Sequence, residues 1–210
     1  MANTNVGFGL KPINTAGSTP ATSGTNTYFI DSSASAIYQG SPVIATNGGE
    51  IAVSGSASGA TLQFVGVFAG CEYVSSATGK KVFSNFWPGS GADTNFDIIG
   101  FVYDNPMHRF IICSDASLTN KATAIATIFE GAEFSAESGK GAADGSTTTG
   151  ISAAQLDVST VDASDLSHPL KIVGILDDPE NADFTAAGIP LIVMINNHAL
   201  LTGSAEATVS

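Results

Sequence analysis

Apolar residues in this chain come in short bursts rich in β-branched and aromatic side chains. TYFI (27–30), AIYQGSPVIA (36–45), EIAVSG (50–55), TLQFVGVFAGCEYV (61–74), KVFSNFW (81–87), FDIIGFVY (96–103) and RFIICSD (109–115) follow one another. Between them lie DSSAS, TNGG, SATGK, PGSGAD and DNPM, made of the residues that build tight turns. Short runs punctuated this way predict strands, and their number predicts an all-β barrel or sandwich. ATNGGEI reads as a hairpin, because Asn-Gly tolerates the positive φ of a primed turn; SATGKK reads as a second hairpin tip. Later, HPLKIVGIL and IPLIVMINNHALL resume the pattern, the last strand buried in its first half, and so does ISAAQLDVS.

Two stretches break the rhythm. SLTNKATAIATIFEGAEF (117–134) reads as the one helix of the chain, with Ser117 or Thr119 as its cap, although its Thr and Ile content favours a strand. ENADFTAAG predicts a short helical turn. The polar stretch 135–150 reads as an exposed loop. Residues 1–27 are polar apart from VGFGLKPI; they either fray or form an arm ordered by lying on another surface, with Phe8, Leu10, Pro12 and Ile13 as its contact residues.

One phrase recurs: FVGVF, IIGFV and IVGIL place Gly66, Gly100 and Gly174 between apolar pairs. Glycine weakens a strand interior, so its recurrence marks bends, bulges or close backbone approach. Strands curling over a small barrel need such corners. The expectation is one barrel holding Gly100 and Gly174, in which Gly174→Val would overfill a corner, and an earlier β unit holding Gly66. With a composition seam at FWPGSGADTN (86–95), the expected organisation is an extended arm (1–27), a small N-terminal β unit (28–92), a compact C-terminal β-barrel (93–204) and a tail (205–210). Loss of residues 1–13 should then leave a folded domain.

Composition narrows the function. Of the 210 residues 43% are hydrophobic and only 12% charged, about half the usual ~25%. The polar surface is built from Ser, Thr, Asn and 23 Gly. A net charge of −12 repels phosphate backbones and anionic membrane surfaces, so neither nucleic acid nor membrane is an expected partner. No stretch approaches the ~20 apolar residues of a membrane span. Cys71 and Cys113 end apolar runs and read as buried free thiols.

Chemistry is hard to find. His108, His168 and His198 lack the spacing of a ligand cluster and are expected at the surface or at strand ends. SGSASG (54–59) is a loop and no nucleophile elbow, and GFG (7–9) opens no helix. Asp177, Asp178, Glu180 and Asp183 could offer oxygens to calcium, but Pro179 interrupts the loop and a capping turn explains them better. No catalytic residue, metal or cofactor is therefore expected. Phe86 and Trp87 are adjacent and should face opposite sides of a strand, which makes them interface candidates, whereas Phe83 is assigned to the core.

Phrases spanning about residues 7 to 198 resemble head structural proteins of tailed bacteriophages: GFGLKPI, TYFIDSSASAIYQGSPVIATNGGEIAV, GVFAGCEYVSSATGKKVFSNFWPG, YDNPMHRFIICSDAS and VGILDDPENADF with IPLIVMINNH. The resemblance implies a decoration (cement) protein on the capsid exterior, made in the host cytoplasm. Such proteins are small β-barrel modules that form trimers, with arms reaching neighbouring copies of the major capsid protein. A tail or fibre adhesion component, or a carbohydrate- or calcium-binding β-sandwich, is the alternative.

Overall fold

The computed structural model describes residues 3–16, 24–55, 63–164 and 167–201; the expected tail at 205–210 lies outside them. The chain is nearly all β, in two sheets, one of which closes on itself in part. Strands β1 (Lys11–Thr15), β2 (Asn26–Ile30), β3 (Pro42–Ala45), β4 (Ile51–Val53), β5 (Phe64–Val74), β6 (Lys81–Ser84), β7 (Ile98–Tyr103) and β8 (His108–Cys113) come first. Helix α1 (Lys121–Ala126), β9 (Gly131–Ala132), β10 (Leu170–Ile175) and β11 (Pro190–Ile195) complete the order, with 3₁₀ turns at Val158–Thr160 and Pro179–Asn181. No helix among the described residues is long and apolar enough to cross a membrane.

One sheet runs β3-β4-β2-β7-β5-β6, and a further pairing of β3 with β5 closes its first five strands into a ring. The other is open, in the order β1-β8-β11-β10-β9. The closed unit is thus the N-terminal one, and β7 is its central strand, hydrogen-bonded to both β2 and β5. The boundary expected at 92/93 does not coincide with the division between sheets. FWPGSGADTN lies within the ring's connections, where Trp87 and Ile37 exchange both backbone hydrogen bonds. The chain leaves the ring only at the turn after Tyr103. A loop that returns to its own sheet has the same Gly-Pro composition as a linker.

The ring's sequence pattern follows from its position. β3 and the first half of β5 are buried on both faces, so they read as unbroken apolar runs. Val43, Val65 and Phe68 point into the ring with Ile30, Ile37, Ile51, Trp87, Ile98 and Val102. Ile44, Phe64 and Val67 face the other way, into a larger core with Leu10, Phe110, Phe134, Leu156 and the buried residues of β10 and β11. These two strands form the wall between the cores. β6, at the ring's outer edge, alternates exposed and half-buried positions.

The three repeated glycines have three different settings. Gly66 has φ +157°, and a Cβ there would lie 2.2 Å from the Tyr103 carbonyl oxygen, so no other residue fits. The register of β5 against β3 slips beside it, which is how one long strand serves several partners. Gly100 is in the same sheet and faces the ends of Ile30 and Ile51. At Gly174, in the open sheet, an added Cβ would find its nearest neighbour, the Ile192 side chain, at 3.6 Å, and the register of β10 against β11 shifts beside it. It is no overfilled corner; Gly66 is, and it shares a sheet with Gly100, contrary to the expected grouping.

The helix is shorter than the stretch 117–134 expected for it. Asn120, not Ser117 or Thr119, caps it, accepting from the Thr123 N–H at 2.9 Å. Thr119 (φ +66°) and Phe129 (φ +76°) bracket it in left-handed conformations. Beyond it the chain turns directly to β9, as its β-branched content favours. The expected hairpins at 45–51 and 74–81 form, joining β3 to β4 and β5 to β6. ISAAQLDVS makes only isolated bridges and a 3₁₀ turn.

Candidate interaction surface

The N-terminal arm lies on its own body. Asn3 begins it: its side-chain amide donates to the carbonyls of Asp183 (2.8 Å) and Ala187 (3.1 Å), and its oxygen accepts from the Asp183 N–H. Thr4 N–H donates to Asn181, and Asn5 accepts from the Gln155 amide. The chain then passes so close to the body that a Cβ at Gly7 would overlap the Ala153 carbonyl. Gly9 takes φ +69° against the Gly40 carbonyl, to which the next N–H, that of Leu10, donates at 2.8 Å. This contact explains why GFG is needed here without any nucleotide chemistry. After it the arm becomes β1, paired antiparallel with β8 and forming one edge of the open sheet.

Leu10 is only 1% exposed and belongs to the larger core. The arm is therefore part of the fold, and losing residues 1–13 would open that core rather than leave an intact domain. Beside the arm runs a crevice of about 660 Å³ lined by Phe8, Pro12, Tyr103, Ile111, Ile151 and Leu176, with Leu10 also reaching it. Val6 and Ile151 are exposed on its rim. Ile13 is half-buried in β1.

The other interface candidates lie elsewhere. Trp87 is fully buried, donating its Nε1–H to the Ala34 carbonyl at 3.1 Å and meeting the Tyr73 ring edge-on. Phe86 is half-buried and stacks on Tyr38. Phe83, assigned to the core, is instead 69% exposed on β6. Alternation placed Phe86 and Trp87 on opposite faces, but only ring closure decides that Trp87 faces inward. Val6, Ile151, Phe29 and Phe96 are exposed apolar residues that the sequence did not single out; Val6, Ile151 and Phe96 stand beside Gly or Asp, and Phe29 lies inside an apolar run that does not tell which face is outward.

The ionisable groups sit mostly inside. All three histidines are at strand ends but buried, not at the surface. Burial pushes the His198 imidazole down to about 4, against the favourable field of Asp104, and burial also lowers His108. Asp104, itself buried, accepts from Asn26 and from the Tyr28 hydroxyl at 2.7 Å. Burial, and then this bond to an anion, raises Tyr28 to about 12. The cluster joins β2, the turn after β7, the start of β8 and the segment after β11, tying the two sheets together. Both cysteines are free and buried, in β5 and β8, and burial raises them to about 12 and about 11.

The acidic turn at 177–183 behaves as a cap. Asp178 accepts from the Glu180 N–H and the Asn181 amide, and Asp183 from the Thr185 N–H. These bonds hold both carboxyls below their ordinary range. Among the described residues, no three His, Cys, Asp or Glu side chains are grouped to hold a metal. No protein-family model, curated protein or solved structure matches the chain.

Proposed function

We propose that the chain is a non-enzymatic structural component of a virion, decorating a capsid and bracing neighbouring copies of the major capsid protein. The observation that carries this reading is the arm face. An edge strand and an apolar crevice lie side by side there, and that combination suits the addition of a neighbour's extended segment. Main-chain hydrogen bonds would supply affinity, and side chains entering the crevice would supply specificity. Exposed sheet edges are normally blunted, and β1 carries Lys11, Pro12 and an irregular register between Pro12 and Asn14, which limits an added segment to a short pairing. The likeness of the sequence phrases to phage head proteins points the same way, and with it come a trimeric assembly and a place on the capsid exterior. A net charge of −12 suits a protein kept apart from packaged nucleic acid.

The test is a count of copies per particle. Particles carrying this chain are purified and the chain is quantified against the coat protein by mass spectrometry. A copy number comparable to that of the coat is expected. A few copies confined to one vertex would replace decoration with an adhesion role, and complete absence from particles would overturn the reading.

A further inference from the structure

Neighbouring strands of the ring are joined by three or more paired positions, except at one seam. There β2 and β4 meet in a single parallel bridge between Ile30 and Ile51. A cleft of about 400 Å³ opens beside it, walled by the end of β2, the turn before β4 and the segment leading into β7. It shares no residue with the arm crevice.

Two kinds of side chain meet in this cleft. Phe29 and Phe96 are 52% and 56% exposed, an arrangement that leaves two aromatic surfaces in water. Asp31, Glu50 and Asp97 line the same space, and no Lys, Arg or His does. None of the three carboxylates takes part in an ion pair among the described residues. The Glu50 carboxylate is folded back over Gly48, 3.2 Å from where a Cβ on that glycine would be. The Ser33 hydroxyl and N–H donate to Asp31 and hold its carboxyl below the ordinary range. The carboxylates are not grouped for a metal ion, and an anion would be repelled by all three. A wholly apolar partner would strip water from them without compensation.

An arginine side chain satisfies both features. Its stem and planar guanidinium stack on aromatic faces, and its N–H fork donates to carboxylates. We infer that the seam cleft is a docking site for an arginine-bearing segment of a protein partner, with Phe29 and Phe96 as the stacking surfaces and Glu50 and Asp97 as the acceptors.

The test uses the full chain, isotope-labelled for NMR and titrated with the capped peptide acetyl-Gly-Arg-Gly-amide. A peptide with citrulline in place of arginine keeps the shape and removes the charge. The expected result is saturable shifts at the amides of residues 29–32, 48–50 and 94–98, with the citrulline peptide binding more weakly. Phe29→Ser with Phe96→Ser should weaken binding roughly fivefold, and Glu50→Gln with Asp97→Asn should weaken it too, while the spectrum stays that of the folded chain. No saturable shift at these amides, equal binding of the citrulline peptide, or unchanged affinity in both double variants would each overturn the inference. No particle enters this experiment, so its failure leaves the decoration reading standing.

Discussion

The ring and the open sheet solve the same problem in opposite ways. In the ring, five strands consume nearly all of one another's edges, at the cost of a backbone bend that only Gly66 can make. The strands of the open sheet are irregular too, with register shifts at Pro12/Asn14 and Ile172/Gly174, but none of them contains a glycine of positive φ. It recruits the N-terminal arm as its edge strand and leaves the far side of that strand unpaired by any described strand. Rigidity is thus concentrated where backbones are forced together, and partner-ready edges lie where the sheet was never closed. The two regions meet at β3 and β5, which serve both cores, so damage to the ring is transmitted to the arm face.

Glycine substitution gives the largest predicted contrast. Gly66→Ala should cost on the order of 3 kcal/mol or more, because the new Cβ meets a carbonyl that cannot move without breaking the β5–β7 ladder. Urea unfolding of the variant measures it, and near-wild-type stability would mean the ring is not closed as described. Trp87→Ala should cost about 3–5 kcal/mol by emptying the ring's interior. Leu10→Ala, which empties the open sheet's core instead, should cost about 2–4 kcal/mol. Comparable losses from sites so far apart in the chain would show that arm and ring belong to one cooperative unit.

Acid sharpens the comparison, because the His198 cluster joins the two regions. Its imidazole is neutral in the folded chain, with a pKa of about 4 against 6.5 for the free group. Above pH 6.5 neither state binds the proton and the stability is intact. As pH falls from 6.5 towards 4, the unfolded chain takes up a proton that the folded chain refuses. Stability should fall by up to about 3 kcal/mol across that window. His198→Gln should flatten the slope in urea unfolding at pH 7 and pH 4.5. An unchanged slope would remove the cluster from the account. The aspartates held low by their turn hydrogen bonds act mainly below that window. The smallest predicted effects are at Gly174→Ala, which has room, and Phe83→Ser, which is exposed; each should stay within about 0.5 kcal/mol.

What could be read from the sequence was local. Strand-forming runs, hairpin tips and the capping role of Asp178 are decided by neighbours a few residues away. The ring's closure, the joining of the arm to β8 and the inward turn of Trp87 depend on pairings across tens of residues, which no window of composition contains. The repeated glycine phrase marked strand irregularities at Gly66 and Gly174 but not which strands share a sheet, because similar words occupy a forced bend, a packed position and a roomy bulge. Phe8 and Pro12, which line the arm crevice, stand out in the sequence as part of an apolar island in polar surroundings. The seam cleft was not readable, because its five aromatic and acidic side chains come from three separate segments, the end of β2, the turn before β4 and the approach to β7.

Hydrogen exchange of the free chain, set against the same chain mounted on particles, tests the central claim most directly. The account predicts new protection along the arm at Lys11–Thr15 and around Ile151 when the chain is mounted, with β5 and β7 equally protected in both states. Arm amides that exchange alike in the two states, or new protection confined to the ring, would contradict it.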